Sequence, residues 1–237
     1  MQAEVDIHYV SLDAEEGRLK ELADLLSPEE RDRAARFHFD RDRHRFIVCR
    51  GSLRELLAAT LHLAPARVPF VYGSFGKPMI DGSDIRFNVS HSHGMAMIAI
   101  TRGREVGCDI ERIDPSFSDE QIPERFFSPY EVATLRALPL GDQCNAFFRC
   151  WTRKEAYIKA CGMGVSLELN SFDVTLAPDE PATLLRGAEG WSLHAVDAPV
   201  GYAAALVLAD QSGITMPTSS LKSSMTKSGG ASANVSG

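Results

Sequence analysis

Glu155 sits in Trp151-Thr152-Arg153-Lys154-Glu155-Ala156-Tyr157-Ile158-Lys159, an apolar-periodic run bounded by Gly141-Asp142 and Gly162. The spacing predicts a long helix with Asp142 as N-cap and Gly162 as its stop. Phe148, Trp151, Glu155 and Ile158 recur at steps of three and four, which places a carboxylate on the stripe that should face the core. A buried charge needs a partner: Lys159 at i+4 is one, and a cation held by several carboxylates is another. Further carboxylates stand at Val106-Gly107-Cys108-Asp109-Ile110-Glu111, where apolar and small or acidic residues alternate with strand period. On a strand Asp109 and Glu111 share the side opposite Val106, Cys108 and Ile110, and Gly107 leaves room beside them for a ligand or a close backbone. Two carboxylates at i and i+2 with a third from a helix make an all-oxygen site for a hard divalent ion such as Mg2+, which also binds phosphate. The competing reading is a polar strand face in solvent and a simple helix ion pair.

The elements that must position these groups are legible in order. Val5, Ile7 and Tyr9 alternate as a strand, and Leu19, Leu22, Leu25 and Leu26 follow at helical spacing. Ser27-Pro28-Glu29-Glu30 reads as a capping box with Pro at the first helical position, and a second helix, capped by Asp40, runs through Phe46, Leu53, Leu57 and Leu61. Strand and turn texture follows from Val68 to Ile100, and Thr101-Arg102-Gly103-Arg104 turns into the Asp109/Glu111 strand. Ser128-Pro129-Tyr130-Glu131 is another capping box. Ser27 and Ser128, Pro28 and Pro129, Glu30 and Glu131, Phe46 and Phe147, Cys49 and Cys150 are each 101 residues apart. This offset predicts an α+β fold of two similar lobes about a pseudo-twofold axis, residues 1–104 and 105–210, with a ligand site between them. Three strand-like runs close the second lobe. Residues 211–237 are Ser, Thr, Gly, Lys and small residues, which predicts a disordered tail.

Composition excludes little. The chain has 237 residues, 44% hydrophobic and 24% charged, with no apolar run near the ~20 residues of a spanning helix and no signal-like start, so a cytoplasmic protein is expected. Its five cysteines lack CxxC spacing and read as reduced core thiols. A net charge of −7 argues against a nucleic-acid binder, yet residues 31 to 54 hold eight arginines. That patch is suited to a small anion, to an acidic partner surface, or to Asp/Arg pairing on a solvated helix face.

Gly76-Lys77-Pro78, Phe87-Asn88-Val89-Ser90-His91-Ser92, Gly107-Cys108-Asp109-Ile110-Glu111, Arg125-Phe126-Phe127-Ser128 and Trp151 followed by Lys154-Glu155-Ala156 and Lys159 occur in this order. Together, from about Ser27 to Phe172, they resemble the 4'-phosphopantetheinyl transferases, specifically the two-lobed monomeric type that activates surfactin synthetase. The resemblance implies transfer of the phosphopantetheine arm of coenzyme A to a serine of an acyl or peptidyl carrier protein, leaving adenosine bisphosphate, with Mg2+ (or Mn2+) held by Asp109, Glu111 and Glu155. It implies that Lys159 reaches a phosphate or the incoming hydroxyl, and that Ser90 and His91 contact coenzyme A at its pyrophosphate. Lys77 and Arg45 match its phosphate and adenine-side contacts. The family's basic positions after the first capping box are here Glu30 and Arg33, so Arg33, alone or with Arg36, is the residue left for the 3'-phosphate. Glu131 is a candidate base by resemblance, and Glu155, through a water on the metal, another; a Glu three residues after an N-cap Ser also has a capping role. Leftover arginines and apolar residues near Phe117 and Ile122 would dock the carrier. A monomer is implied, because the repeat supplies the interface that single-lobe relatives form by trimerising. A metal-dependent phosphohydrolase of coenzyme A or nucleotides, and a non-catalytic carrier-binding module, are the alternatives.

Overall fold

A computed structural model describes residues 5–73, 75–116 and 121–210. In chain order the elements are β1 (Val5–Ser11), α1 (Glu16–Asp24), α2 (Pro28–Ala35), α3 (Asp40–Leu61), β2 (Phe70–Tyr72), β3 (Pro78–Ile80), β4 (Ile85–Ser92), β5 (Met95–Arg102) and β6 (Val106–Arg112). They continue as α4 (Gln121–Phe126), α5 (Pro129–Ala137), α6 (Leu140–Cys161), β7 (Asp173–Val174), β8 (Leu184–Arg186), β9 (Trp191–Ala195) and β10 (Tyr202–Ala209).

The two halves repeat one plan. Each begins with a strand, runs through helices to a long one of 22 residues, makes a two-stranded hairpin, and closes a three-stranded antiparallel sheet, β1-β5-β4 in the first half and β6-β10-β9 in the second. Both capping boxes form as the sequence predicts. Ser27 and Ser128 each accept the backbone N–H three residues on, and Glu30 and Glu131 reach back to the cap N–H, with Pro at the first turn of both helices. Two other caps differ. α6 begins at Leu140 after Pro139, and Asp142 N–H bonds Pro139 O at 2.8 Å, so Asp142 lies within the first turn rather than capping it. Likewise Phe39 occupies the N-cap of α3 and Asp40 is its first residue. In both cases the aspartate favours the positive end of the helix dipole without being the cap. Gly162 ends α6 in the left-handed region at φ 66°, as expected.

Apolar faces of the two sheets meet in one cluster of Met97, Ala99, Val106, Cys108, Ile110, Leu206 and Leu208, joined by Val5, Ile7, Tyr9 and Val196. The core of the second half is larger, built on α6 with Phe127, Phe147, Phe148, Tyr157 and Phe172. Among the described residues no helix is long and apolar enough to cross a membrane.

One glycine sets the depth of α6. A Cβ on Gly107 would lie 2.1 Å from Ala156 O and 2.3 Å from Ala160 N, so only a residue without a side chain lets the helix backbone rest on β6. The room beside Gly107 is thus filled by backbone, and that contact brings Glu155 and Lys159 alongside Asp109. Gly107→Ala must push the helix outward; we expect a loss of about 1–3 kcal/mol or more of stability, read in urea unfolding, together with impaired activity.

Candidate active site

β6 is buried on both faces. Val106, Cys108 and Ile110 face the apolar cluster, while Asp109, 2% exposed, lies on the side covered by α6 and β4. A polar strand face in solvent is therefore excluded.

Asp109 Oδ1 accepts from Lys159 Nζ at 2.6 Å and from Ser90 Oγ at 2.7 Å. Its Oδ2 is buried and has no hydrogen-bond partner. Burying such an acceptor unpaired costs about 1–3 kcal/mol, more for a charge. Glu111, two residues on, accepts from Ser92 Oγ at 2.6 Å. Burial first, then the charge of Asp109, push the Glu155 carboxyl above its ordinary range, and Lys159 only partly offsets this. Glu111 is raised in the same way, by burial and then by Asp109 against the hydrogen bond from Ser92. Lys159 shows the opposite balance: burial pulls it down, but the attraction of Asp109 and the hydrogen bond to it prevail and hold the ammonium above its ordinary value. Lys159 therefore pairs with Asp109 of its own half and with Ser90 of the other, not with Glu155 on its own helix.

Three carboxylates thus share one ammonium. Among the described residues no three His, Cys, Asp or Glu side chains close around one point as a finished ligand set. The orphaned oxygen of Asp109 and the raised acids on either side nevertheless describe a place short of positive charge, and its all-oxygen donors suit a hard divalent cation.

One cavity opens on Glu155 and Lys159 of this cluster, and a second shares Pro78 and Val89 with it. The first, about 710 Å³, holds Glu155, Lys159, Asn88, Arg125 and Phe126. The second, about 810 Å³, is the basic one, with Arg33, Arg41, Arg45, His91 and His93. Burial, and next the charge of Lys159, lower His91, so its imidazole is neutral at neutral pH and offers one N–H. The Arg33 guanidinium lies over the Phe46 ring at 5.2 Å.

Several predicted residues have other engagements. Arg45 makes a two-pronged contact with Asp13, at 2.7 and 3.0 Å, while lining the basic cavity. Lys77 Nζ lies 3.3 Å from Glu105, 3.2 Å from Val106 O and 3.3 Å from Ala160 O, tying the β2–β3 turn to the C-terminal end of α6. Glu131 corrects the expectation of a base: it is fully buried, its Oε1 taken by Lys154 Nζ and Val174 N–H at 2.8 Å each and its Oε2 by Ser128 N–H. No lone pair of it faces either cavity, because the cap and the ion pair consume the carboxylate. Its counterpart Glu30 holds Arg50 at 3.0 Å and Arg54 at 2.7 Å, which neutralises part of the charge of the eight arginines. Ile122 packs against the α6 core, whereas Phe117 and the tail 211–237 lie outside the described residues. The sequence reading assigned no role to Ser92, Asn88, Arg41 or Arg125. The first two had a signal, alternation along β4; Arg125 stood in the quoted Arg125-Phe126-Phe127-Ser128 motif, and Arg41 had no signal beyond the number of arginines around it.

Residues 13–102 match the family model for the 4'-phosphopantetheinyl transferase N-terminal region, and residues 105–207 match that of the 4'-phosphopantetheinyl transferase superfamily. The chain is 41% identical over 194 residues to 4'-phosphopantetheinyl transferase HetI of Nostoc sp., covering 80% of this chain and 81% of that protein. It is 35% identical over 156 residues to 4'-phosphopantetheinyl transferase Sfp of Bacillus subtilis, covering 65% of this chain and 68% of that protein. A buried carboxylate cluster beside a cavity that adjoins a basic one, on a chain matched along both halves by such enzymes, places this protein in the 4'-phosphopantetheinyl transferase superfamily.

Proposed function

We propose that the protein moves the 4'-phosphopantetheine arm of coenzyme A onto a serine hydroxyl of acyl or peptidyl carrier domains, of the kind found in polyketide, nonribosomal peptide or fatty acid synthases. The observation that carries the reading is Asp109, buried with one oxygen unpaired and its other oxygen on Lys159, which lines the first cavity. In the reaction the serine oxygen bonds to the β-phosphorus of coenzyme A, the bond from that phosphorus to the bridging oxygen breaks, and adenosine 3',5'-bisphosphate departs with the bridging oxygen.

The basic cavity suits the leaving half. Arg33 and Arg41 bring fixed positive charge to the 3'-phosphate, and neutral His91 donates to the pyrophosphate. Arg45, anchored by Asp13, presents its remaining N–H groups along the same wall. Lys159 stands on the other side and meets the charge that develops on the phosphoryl oxygens. Ser90 fixes the Lys159 and Asp109 side chains by one hydroxyl. Glu155 lines the first cavity and is the remaining candidate to receive the serine proton. Asp109, Glu111 and Glu155 are the residues that would hold Mg2+, with Mn2+ a chemical equivalent, and the ion when bound neutralises charge on the pyrophosphate. We further propose that the lobes are 1–104 and 105–210 and that the protein acts as a cytoplasmic monomer.

The test separates transfer from hydrolysis. With coenzyme A and Mg2+ alone, chromatography should show adenosine 3',5'-bisphosphate at background; an apo carrier should raise it in step with carrier consumed. Equal release without carrier would make the protein a hydrolase instead.

A further inference from the structure

Alternate residues of a strand share a face. On β4 the face bearing Asn88, Ser90 and Ser92 turns to β6, and all three side chains are buried. β4 and β6 are edges of separate sheets, so no backbone ladder joins them. Edge N–H groups still require partners. Side chains of β4 provide them: Asn88 Oδ1 accepts from Cys108 N–H at 2.9 Å, and Ser92 Oγ accepts from Arg112 N–H at 3.1 Å.

The serines then donate onward, Ser90 to Asp109 at 2.7 Å and Ser92 to Glu111 at 2.6 Å. A hydroxyl has one proton and two acceptor sites. The Arg112 N–H takes an acceptor site of Ser92, and the hydroxyl proton goes to the Glu111 carboxylate. His93 Nδ1 lies 3.2 Å from the same oxygen. Ser92 is thereby fixed by the main chain of β6 and in turn fixes a side chain of β6.

Holding the lobes together does not itself demand these groups. In the ladders Arg86 lies across β5 from Val5, and Ser192 lies across β10 from Val106, so His194 and Val196 of the second half stand where Asn88 and Ser90 do in the first. Among the described residues His194 bonds within its own strand, to Ser192 at 3.0 Å, and Val196, like Val5 and Ile7, packs against the shared apolar cluster. That equivalent place is joined by burial, whereas the polar comb occurs where the carboxylates are.

We propose that the Asn88–Ser90–Ser92 face of β4 is the positioning element of the reaction centre, with Ser92 holding Glu111 in the orientation that receives a divalent cation. This rests on the cation reading above. Outer partners of ligand side chains typically govern affinity by about 10–100-fold.

The experiment is Mn2+ binding to the full chain, followed by the electron paramagnetic resonance of free Mn2+, for wild type, Ser92→Ala, Ser92→Cys and Ser92→Thr. Ser92→Cys keeps nearly the original volume with a poor donor, so it remains informative where Ser92→Ala fails to fold. The expected result is Mn2+ binding weakened about tenfold in the Ala and Cys variants, near-normal binding in the Thr variant, and transfer by the weakened variants recovering as Mg2+ is raised. Unchanged Mn2+ affinity in the Ala and Cys variants overturns the positioning role alone. A wild-type protein that binds no Mn2+ overturns the cation reading, and this proposal with it.

Discussion

Asp109→Asn should abolish phosphopantetheine transfer and leave the chain folded. The substitution keeps the shape of the side chain but removes the charge that holds Lys159, and it replaces the unpaired Oδ2 or its neighbour with a donor where only acceptors are useful. Electrostatic groups aimed at charge that develops in a transition state are each worth about 10²–10³ in rate; here one change disturbs both the ammonium and the carboxylate set, so at least the upper end of that range is expected. Stability should change little, because the Lys159 side chain is 29% exposed and keeps Ser90, so its ammonium can turn to water when Asp109 loses its charge. Steady-state transfer rates beside a circular-dichroism melt check both halves of the expectation. A variant that unfolds cooperatively like wild type and transfers normally would instead favour a carrier-binding module with no catalytic role.

Glu131→Ala should do the reverse, with a large loss of stability and no specific loss of chemistry. Both partners of the Glu131–Lys154 pair are fully buried, and the carboxylate also serves the α5 cap and the Val174 N–H. Lys154 Nζ is further held by Leu169 O at 2.6 Å and Phe172 O at 2.7 Å, so it cannot follow a lost partner into solvent. Removing one member of such a pair leaves an uncompensated buried charge and costs about 3–5 kcal/mol. For a chain of this size that lowers Tm by roughly 6–20 °C. At a temperature where the variant is still folded, kcat should remain near wild type. A stable Glu131→Ala protein with a collapsed rate would return Glu131 to the role of base.

These two carboxylates show what the sequence carries and what it does not. The capping box around Glu131 was legible because it depends on four neighbouring residues, and so was the matching box at Glu30. The equal spacing of the two boxes foretold two similar lobes, since each local signal repeats at one distance. The strand alternation around Asp109 was also readable. Its burial was not, because it depends on Gly107 admitting the α6 backbone, a contact between segments far apart in the chain. The same reason explains the arginines: Arg50 and Arg54 pair with Glu30 and Arg45 is anchored by Asp13, pairings that only the folded chain creates. Ser92 was visible as a letter in a motif, yet its bond to Glu111 exists only where two sheet edges meet.

The most direct test of the central claim is the intact mass of an apo carrier protein after incubation with this protein, coenzyme A and Mg2+, beside a chelator control and Asp109→Asn. The account predicts that the carrier gains one phosphopantetheine with wild type and Mg2+, and nothing in either control. A carrier left unmodified by folded wild type across several carrier types, or modified equally in the presence of chelator, would contradict it.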